Sequence, residues 1–207
     1  MEKSTASKFN KVARIYNTPI FQFYYLFAHK SCINFIKNTI KDNYKILDVA
    51  CGTGIFLKKI NKIKSGLHLS GIDNSEQMIS IANKQQDVIS FGVASAEKIP
   101  FEDNSFDLVT IIDAFYYFQD KKAALSECSR VLKPNQYLFL FYPAFDILPK
   151  FILKQIQITS RLLFFNLEEY SALPRLSEVE KIATENHLKT IKKKMLGMHR
   201  FILFKKI

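Results

Sequence analysis

A short apolar run, Lys45–Ala50, leads directly into Cys51-Gly52-Thr53-Gly54 and then into a helical stretch, Ile55–Ile63. This succession of strand, glycine turn and helix constrains the fold more than any other feature of the chain. At such a turn side chains must be absent where a ligand approaches the backbone, and Gly52 and Gly54 supply that absence. The N–H groups opening the next helix then face the ligand. Asp48, at the strand end, can fix the turn or hold a cationic group. Asp73 follows 25 positions after Asp48, in Ser70-Gly71-Ile72-Asp73-Asn74, at the carboxyl end of the next strand-like run. In a doubly wound sheet ligands bind beyond the carboxyl ends of the strands, where an acid can accept hydrogen bonds from both ribose hydroxyls. Loop and acid together specify a nucleoside-containing cofactor without saying which one.

The remaining pattern predicts the sheet that carries this turn. Leu67–Ile72, Val88–Ala94, Phe106–Ile112 and Gln136–Tyr142 read as strands. Between them fall a helix over Ser75–Gln85, with Ser75 as N-cap, and another over Gln119–Leu132. In the latter, Ala124, Cys128 and Val131 recur at i, i+4 and i+7, and Pro134 ends the helix nearby. Strands separated by helices of this length form βαβ units and a parallel sheet covered on both faces. The tail differs: Ser177 caps a helix over Glu178–His187, and Leu188–Met195 and Arg200–Lys206 follow as two strands joined through Gly197. With no helix between them, these pair antiparallel. The expectation is a doubly wound α/β fold with a mostly parallel seven-stranded sheet ending in an antiparallel hairpin. A chain of 207 residues without repeats or linkers suits one domain. Its parts are a helical cap over 1–43, a cofactor-binding core over 44–142, a substrate-side insertion over 143–176, and the last helix and hairpin over 177–207.

Composition excludes little. The apolar stretch Ile20–Ala28 is interrupted by Gln22 and falls short of the roughly 20 residues a membrane span needs. It also lacks the cleavage pattern of a signal peptide, so a cytoplasmic location is expected. Cys32, Cys51 and Cys128 form no C-x-x-C pair and stand in no metal-ligand spacing, so no metal is expected and the thiols read as small buried hydrophobes. The net charge of +11 includes seven Lys or Arg and no acid over His187–Ile207. Such a face can attract nucleic acid, an anionic membrane or an acidic substrate, and it can equally be a solvated surface.

Five segments in order, spanning about 90 residues, resemble class I S-adenosylmethionine-dependent methyltransferases, and in particular the branch of ubiquinone and menaquinone C-methyltransferases. They are Leu47-Asp48-Val49-Ala50-Cys51-Gly52-Thr53-Gly54, Gly71-Ile72-Asp73-Asn74-Ser75-Glu76-Gln77-Met78, Ala96-Glu97-Lys98-Ile99-Pro100-Phe101, Asn104-Ser105-Phe106-Asp107-Leu108-Val109 and Arg130-Val131-Leu132-Lys133-Pro134. Phe9–Asn17 also looks like the opening of that branch. The resemblance implies a Rossmann-like methyltransferase fold with S-adenosyl-L-methionine as cofactor. It implies that Ala50, Gly52 and Thr53 contact the methionine half, Asp73 the ribose, Asn74 and Met78 the adenine edge, and Ser95 and Ala96 the adenine amine and ring nitrogen. Asp113 would lie near the methionine portion, and Tyr16 would fold over the cofactor. Ala50 stands where many relatives have glycine, which asks only that its backbone avoid positive φ. Ser95 replaces the usual Asp, shifting adenine contact toward backbone.

A nicotinamide oxidoreductase would want a small residue where Leu57 stands. A DNA adenine methyltransferase would want Asp-Pro-Pro-Tyr in place of Asp113-Ala114-Phe115-Tyr116, so nucleic acid is not the expected acceptor. A polyamine synthase would use an acid at Asp113, and a non-catalytic cofactor-binding protein would keep the pocket without room at the sulfonium. For methyl transfer to oxygen or carbon, the candidate bases are Asp113, Tyr16 and His199. Tyr116, Tyr117 and Phe118 are expected in the core or pocket wall. The apolar and basic insertion Phe145–Ala172 is expected to form a helical lid, suited either to a small metabolite or to a quinone or lipid at a membrane surface.

Overall fold

The structure is a computed structural model and describes residues 5–18, 29–38, 40–84, 88–144, 174–196 and 199–207. The expectations for Ile20–Ala28, for Phe145–Ala172 and for the turn at Gly197 lie outside these residues. Seven strands form one sheet: β1 (Lys45–Val49), β2 (His68–Asp73), β3 (Ser90–Val93), β4 (Phe106–Ile112), β5 (Leu132–Pro143), β6 (Leu188–Leu196) and β7 (His199–Lys206). Their order is β3-β2-β1-β4-β5-β7-β6. Strands β1 to β5 run parallel, and β7 pairs antiparallel with both β5 and β6. This is the expected doubly wound α/β architecture with a terminal antiparallel hairpin.

The central strands are apolar throughout because both of their faces are covered. Along β4, Val109 and Ile111 pack on one side with Leu138, Leu140, Ile202 and Phe204, under the helices α5 (Lys121–Val131) and α6 (Leu176–Glu185). Leu108 packs on the other side with Phe139, Phe141, Phe201 and Leu203, under the helical residues 29–38 (α2) and α3 (Ile55–Ile63). The period of two along each strand divides one apolar run between two core layers. Helix α4 (Glu76–Asn83) lies on β2 and β3, and α1 (Thr5–Tyr16) packs on α4.

Capping follows side-chain chemistry in two cases and not in a third. Ser75 Oγ accepts from Met78 N at 3.2 Å, and Asp120 Oδ1 accepts from Ala123 N at 2.9 Å. Ser177, expected to cap the last helix, instead sits inside its first turn. There the extended Arg175 is the cap and its carbonyl takes the N–H groups of Glu178 and Val179. Strand β5 is longer than expected: it pairs Leu132 with Phe106, slips, and resumes at Tyr137 with Leu108, with Asn135 at φ 64° in the irregular stretch.

Residues from three of the five motifs turn out to build the amino edge of the sheet. Arg130 donates to both Glu127 oxygens (2.7 and 2.8 Å), to Asp103 Oδ1 (2.7 Å), and to the carbonyls of Phe101 and Ile99. Glu127 Oε2 also accepts from Ile99 N at 2.8 Å, so the loop carrying Pro100-Phe101 is fastened to α5. Asp107 ties Lys133 Nζ (2.7 Å) to the backbone N–H of Lys45 (2.9 Å), locking the start of β1 beside β4 and β5.

Candidate functional site

At the opposite, carboxyl edge, β1 ends in a backbone of alternating hand. Ala50, Gly52 and Gly54 stand at φ 60°, 55° and 73°, while Cys51 N donates to Ile72 O and Gly54 N to Cys51 O. The expectation that Ala50 avoids positive φ is therefore corrected. The chain must leave β1 and turn at once while Cys51 stays bonded to β2, and an alanine held left-handed for this costs about 1–2 kcal/mol. The two glycines also divide their work. A Cβ on Gly52 would lie 3.4 Å from the Tyr16 ring, so Gly52 keeps the turn close beneath that ring. A Cβ on Gly54 would run into the Phe91 ring, so Gly54 serves packing against β3.

Asp73 joins two loops. Its Oδ2 accepts from Gly52 N and its Oδ1 from Ser75 N, both at 2.9 Å. Burial raises its pKa, and the two N–H groups oppose that rise. Around it opens a cleft of about 180 Å3 whose wall includes Tyr16, Ala50, Gly52, Asp73, Asn74 and Met78. Ser95, Ala96 and Asp113 continue the wall, with Phe9 and Tyr117 in edge-to-face contact at 5.1 Å. The Ser95 hydroxyl donates to Glu97 Oε2, and Glu97 Oε1 accepts from Gln119 N at 3.1 Å.

Asp48 does not reach this cleft. With Thr53 it lines an adjoining cavity of about 30 Å3, whose wall also includes Tyr16, Ala50 and His29. Thr110 Oγ1 donates to Asp48 Oδ1 at 2.6 Å, yet burial, helped by the charge of Asp73, pushes the carboxyl pKa up to about 7. His29 contacts Lys59 Nζ at 3.0 Å, and burial together with that ammonium lowers its pKa to about 3. Gly54 lines neither cavity.

Asp113 differs from every other acid of the chain described here. It is 4% exposed, its backbone is left-handed at φ 52°, and neither carboxyl oxygen has a hydrogen-bond partner among the described residues. Burial holds its pKa well above the carboxylate range. His199 Nε2 lies 3.7 Å from Asp113 Oδ1, with its ring stacked on Phe141, and burial lowers the imidazole pKa to about 4. His199 thus stands beside the cleft without lining it.

Residues 47–140 match the methyltransferase domain family. Over these residues, somewhat less than half of the chain, it is similar to the class I methyltransferases. S-adenosylmethionine is the methyl donor of this class. Over 89 residues the chain is 39% identical to the demethylmenaquinone methyltransferase of Thermotoga maritima, covering 43% of this chain and 39% of that protein. Over 110 residues it is 42% identical to a ubiquinone/menaquinone biosynthesis C-methyltransferase of Rickettsia bellii, covering 48% of this chain and 44% of that protein. The chain therefore spans less than half the length of these relatives. An S-adenosylmethionine-dependent methyltransferase structure from Aquifex aeolicus superposes with a TM-score of 0.73 at 20% identity, covering 99% of this chain and all of that one, which establishes the fold.

Sequence reasoning missed Phe9, Glu97, Gln119 and His29 as wall residues. Phe9 lies in a segment whose resemblance was visible, but His29 carries no motif at all. The three cysteines are buried and their thiol pKa values are raised by burial, in keeping with packing roles. Among the described residues no helix is long and apolar enough to cross a membrane.

Proposed function

We propose that the chain transfers the methyl group of S-adenosylmethionine to a small-molecule acceptor of quinone-like or lipid character. The observation that carries the donor assignment is the contrast between the two ends of the cleft. At one end Asp73 is held rigidly by two backbone N–H groups with lone pairs left to accept ribose hydroxyls; at the other the buried Asp113 has no hydrogen-bond partner among the described residues. In this reading Asn74, Met78, Ser95 and Ala96 enclose the adenine. Ala50, Gly52 and Thr53, with Asp48 behind them, hold the methionine half, and Tyr16 covers it.

The bound cofactor supplies an already activated methyl carbon. The protein's own contribution is then alignment of the reactants, which can supply much of the roughly 7–11 kcal/mol available from proximity and orientation. The acceptor class is supported by what the partially matching relatives are named for. The test is incubation of the purified chain with methyl-labelled S-adenosylmethionine and a panel of reduced naphthoquinones, benzoquinones and phospholipids. Label in an organic extract of one class identifies the acceptor. S-adenosylhomocysteine binding without transfer to any of them would favour a non-catalytic cofactor-binding role, and absence of binding by folded protein would overturn the donor assignment.

A further inference from the structure

We propose that Asp113 makes the site discriminate between the cationic donor and its neutral thioether product, binding the first as a carboxylate and the second as the neutral acid. This rests on the cofactor reading above. A carboxyl group buried to this degree normally finds a donor, because an unpartnered one costs free energy in either protonation state. Both Asp113 oxygens lack one among the described residues, and the residue stands in the cleft wall with its backbone left-handed at φ 52° and its carboxyl shut off from solvent. Such a group is set up for a ligand. A sulfonium is a fixed positive charge without a proton to donate, and it stabilises an adjacent carboxylate through charge alone. Once the sulfur has become a thioether that charge is gone, and the buried group is more stable holding a proton.

The surrounding ionisable groups leave this role to Asp113. Asp48 of β1 is bonded to Thr110, and Asp73 at the end of β2 lies two strands away. Glu97 is engaged with Ser95 and with Gln119 N. Tyr16 and Tyr117 line the same cleft. On β7, Arg200 Nη1 donates to the Tyr142 hydroxyl of β5 at 3.2 Å. Among the described residues the one cation-capable side chain within ion-pair distance of Asp113 is His199, at 3.7 Å. A neutral imidazole there does not compensate the carboxylate, which keeps Asp113 responsive to the charge of the ligand.

The experiment is calorimetric titration of the full chain with S-adenosylmethionine and with S-adenosylhomocysteine, each in buffers of differing ionisation enthalpy across pH 6 to 8. The expected result is release of more protons with the donor than with the product. The donor-to-product affinity ratio then rises with pH, by up to ~10-fold per unit. Asp48, which lies behind the methionine half in either complex, cancels in this difference. Asp113→Asn should remove the pH dependence of the ratio. His199→Lys should remove it too while keeping the acid, because an ammonium beside Asp113 pins it as a carboxylate. Equal proton release for both ligands, or a difference that survives Asp113→Asn, overturns the proposal. Failure of either ligand to bind folded protein would remove the cofactor reading and this inference with it.

Discussion

The two edges of the sheet carry their charges in opposite ways. At the amino edge every acid that matters is paired: Asp107 with Lys133 and the Lys45 N–H, and Glu127 and Asp103 with Arg130. At the carboxyl edge Asp48, Asp73 and Asp113 are buried with no lysine or arginine in ion-pair contact among the described residues. Asp48 leans on one hydroxyl and Asp73 on two backbone amides, while Asp113 has no hydrogen bond among the described residues and only the His199 imidazole 3.7 Å away. Protein charges that complete one another build a fold, whereas charges left incomplete wait for something that is not protein. One sheet thus separates what holds it together from what it binds.

The sharpest way to break this comparison is to remove the acid best placed for the ligand. Asp73→Ala deletes two charge-assisted hydrogen bonds to a bound nucleoside at about 1.5–3 kcal/mol each. It should therefore weaken S-adenosylhomocysteine by ~100-fold or more in calorimetry. A loss below about fivefold would mean that Asp73 serves only to fasten the Gly52 and Ser75 loops. At the other edge Arg130→Met should do the reverse. Losing the clamp on Glu127, Asp103 and the 99–101 loop should cost about 2–3 kcal/mol, discounted for the partial exposure of the guanidinium, and lower Tm by roughly 5–10 °C. The affinity of the remaining folded protein should not change. A thermal melt and a titration on the same sample decide both points.

These two edges were not equally legible. The strands, their parallel order and the terminal hairpin could be read because apolar runs and helix spacing are local. That Gly52 and Asp73 would stand at the same edge could also be read, because both follow strand ends, but the bond between them could not. What spacing does not carry is the direction in which a residue is used. Asp107 and Arg130 stood in motifs as clear as that of Asp73, yet they fasten loops far from the cleft. Gly54 looked like Gly52, but its constraint comes from the Phe91 ring on β3. Ala50 took up a left-handed conformation because its neighbour's bond to β2 left no other path. His29 reaches the site from α2 without any motif, so only the tertiary contact could find it.

A third test sharpens the comparison through pH. With its folded pKa above the unfolded one, Asp113 holds its proton longer in the folded chain. The wild type therefore loses stability as pH rises from the ordinary carboxylate value through the raised one. Asp113→Asn carries no such loss. It should be more stable than wild type by about 1–2 kcal/mol near pH 8, with the gain vanishing at about pH 4, where both side chains are neutral. His29, whose lowered pKa destabilises the folded chain in acid, acts on both proteins and cancels in the difference, and His199, lowered by burial to about 4, is neutral near pH 8 where the gain is read. Denaturant melts at the two pH values measure it. A variant less stable than wild type near pH 8 would mean that Asp113 is satisfied after all, and the two edges would no longer differ.

The smallest effect concerns how α1 comes to roof the unpaired edge. Asn17 Oδ1 accepts from the Thr53 hydroxyl at 2.6 Å, and Asn10 Oδ1 accepts from the Ser75 hydroxyl at 2.6 Å and from Gln77 N at 3.2 Å. One short segment therefore grips both loops that Asp73 joins, using neutral groups and leaving the acids untouched. Asn10→Ala removes two bonds at a partly exposed site and should cost about 1 kcal/mol. Because Ser75 keeps its own bond to Met78 N, α4 should stay capped while α1 loosens. Amide exchange should then quicken over 5–16 and stay unchanged over 76–83, with S-adenosylhomocysteine weakened only a few-fold. Equal acceleration in both helices would mean that α1 and the Ser75 loop form one cooperative unit, so that the ligand edge depends on its roof as strongly as the amino edge depends on Arg130.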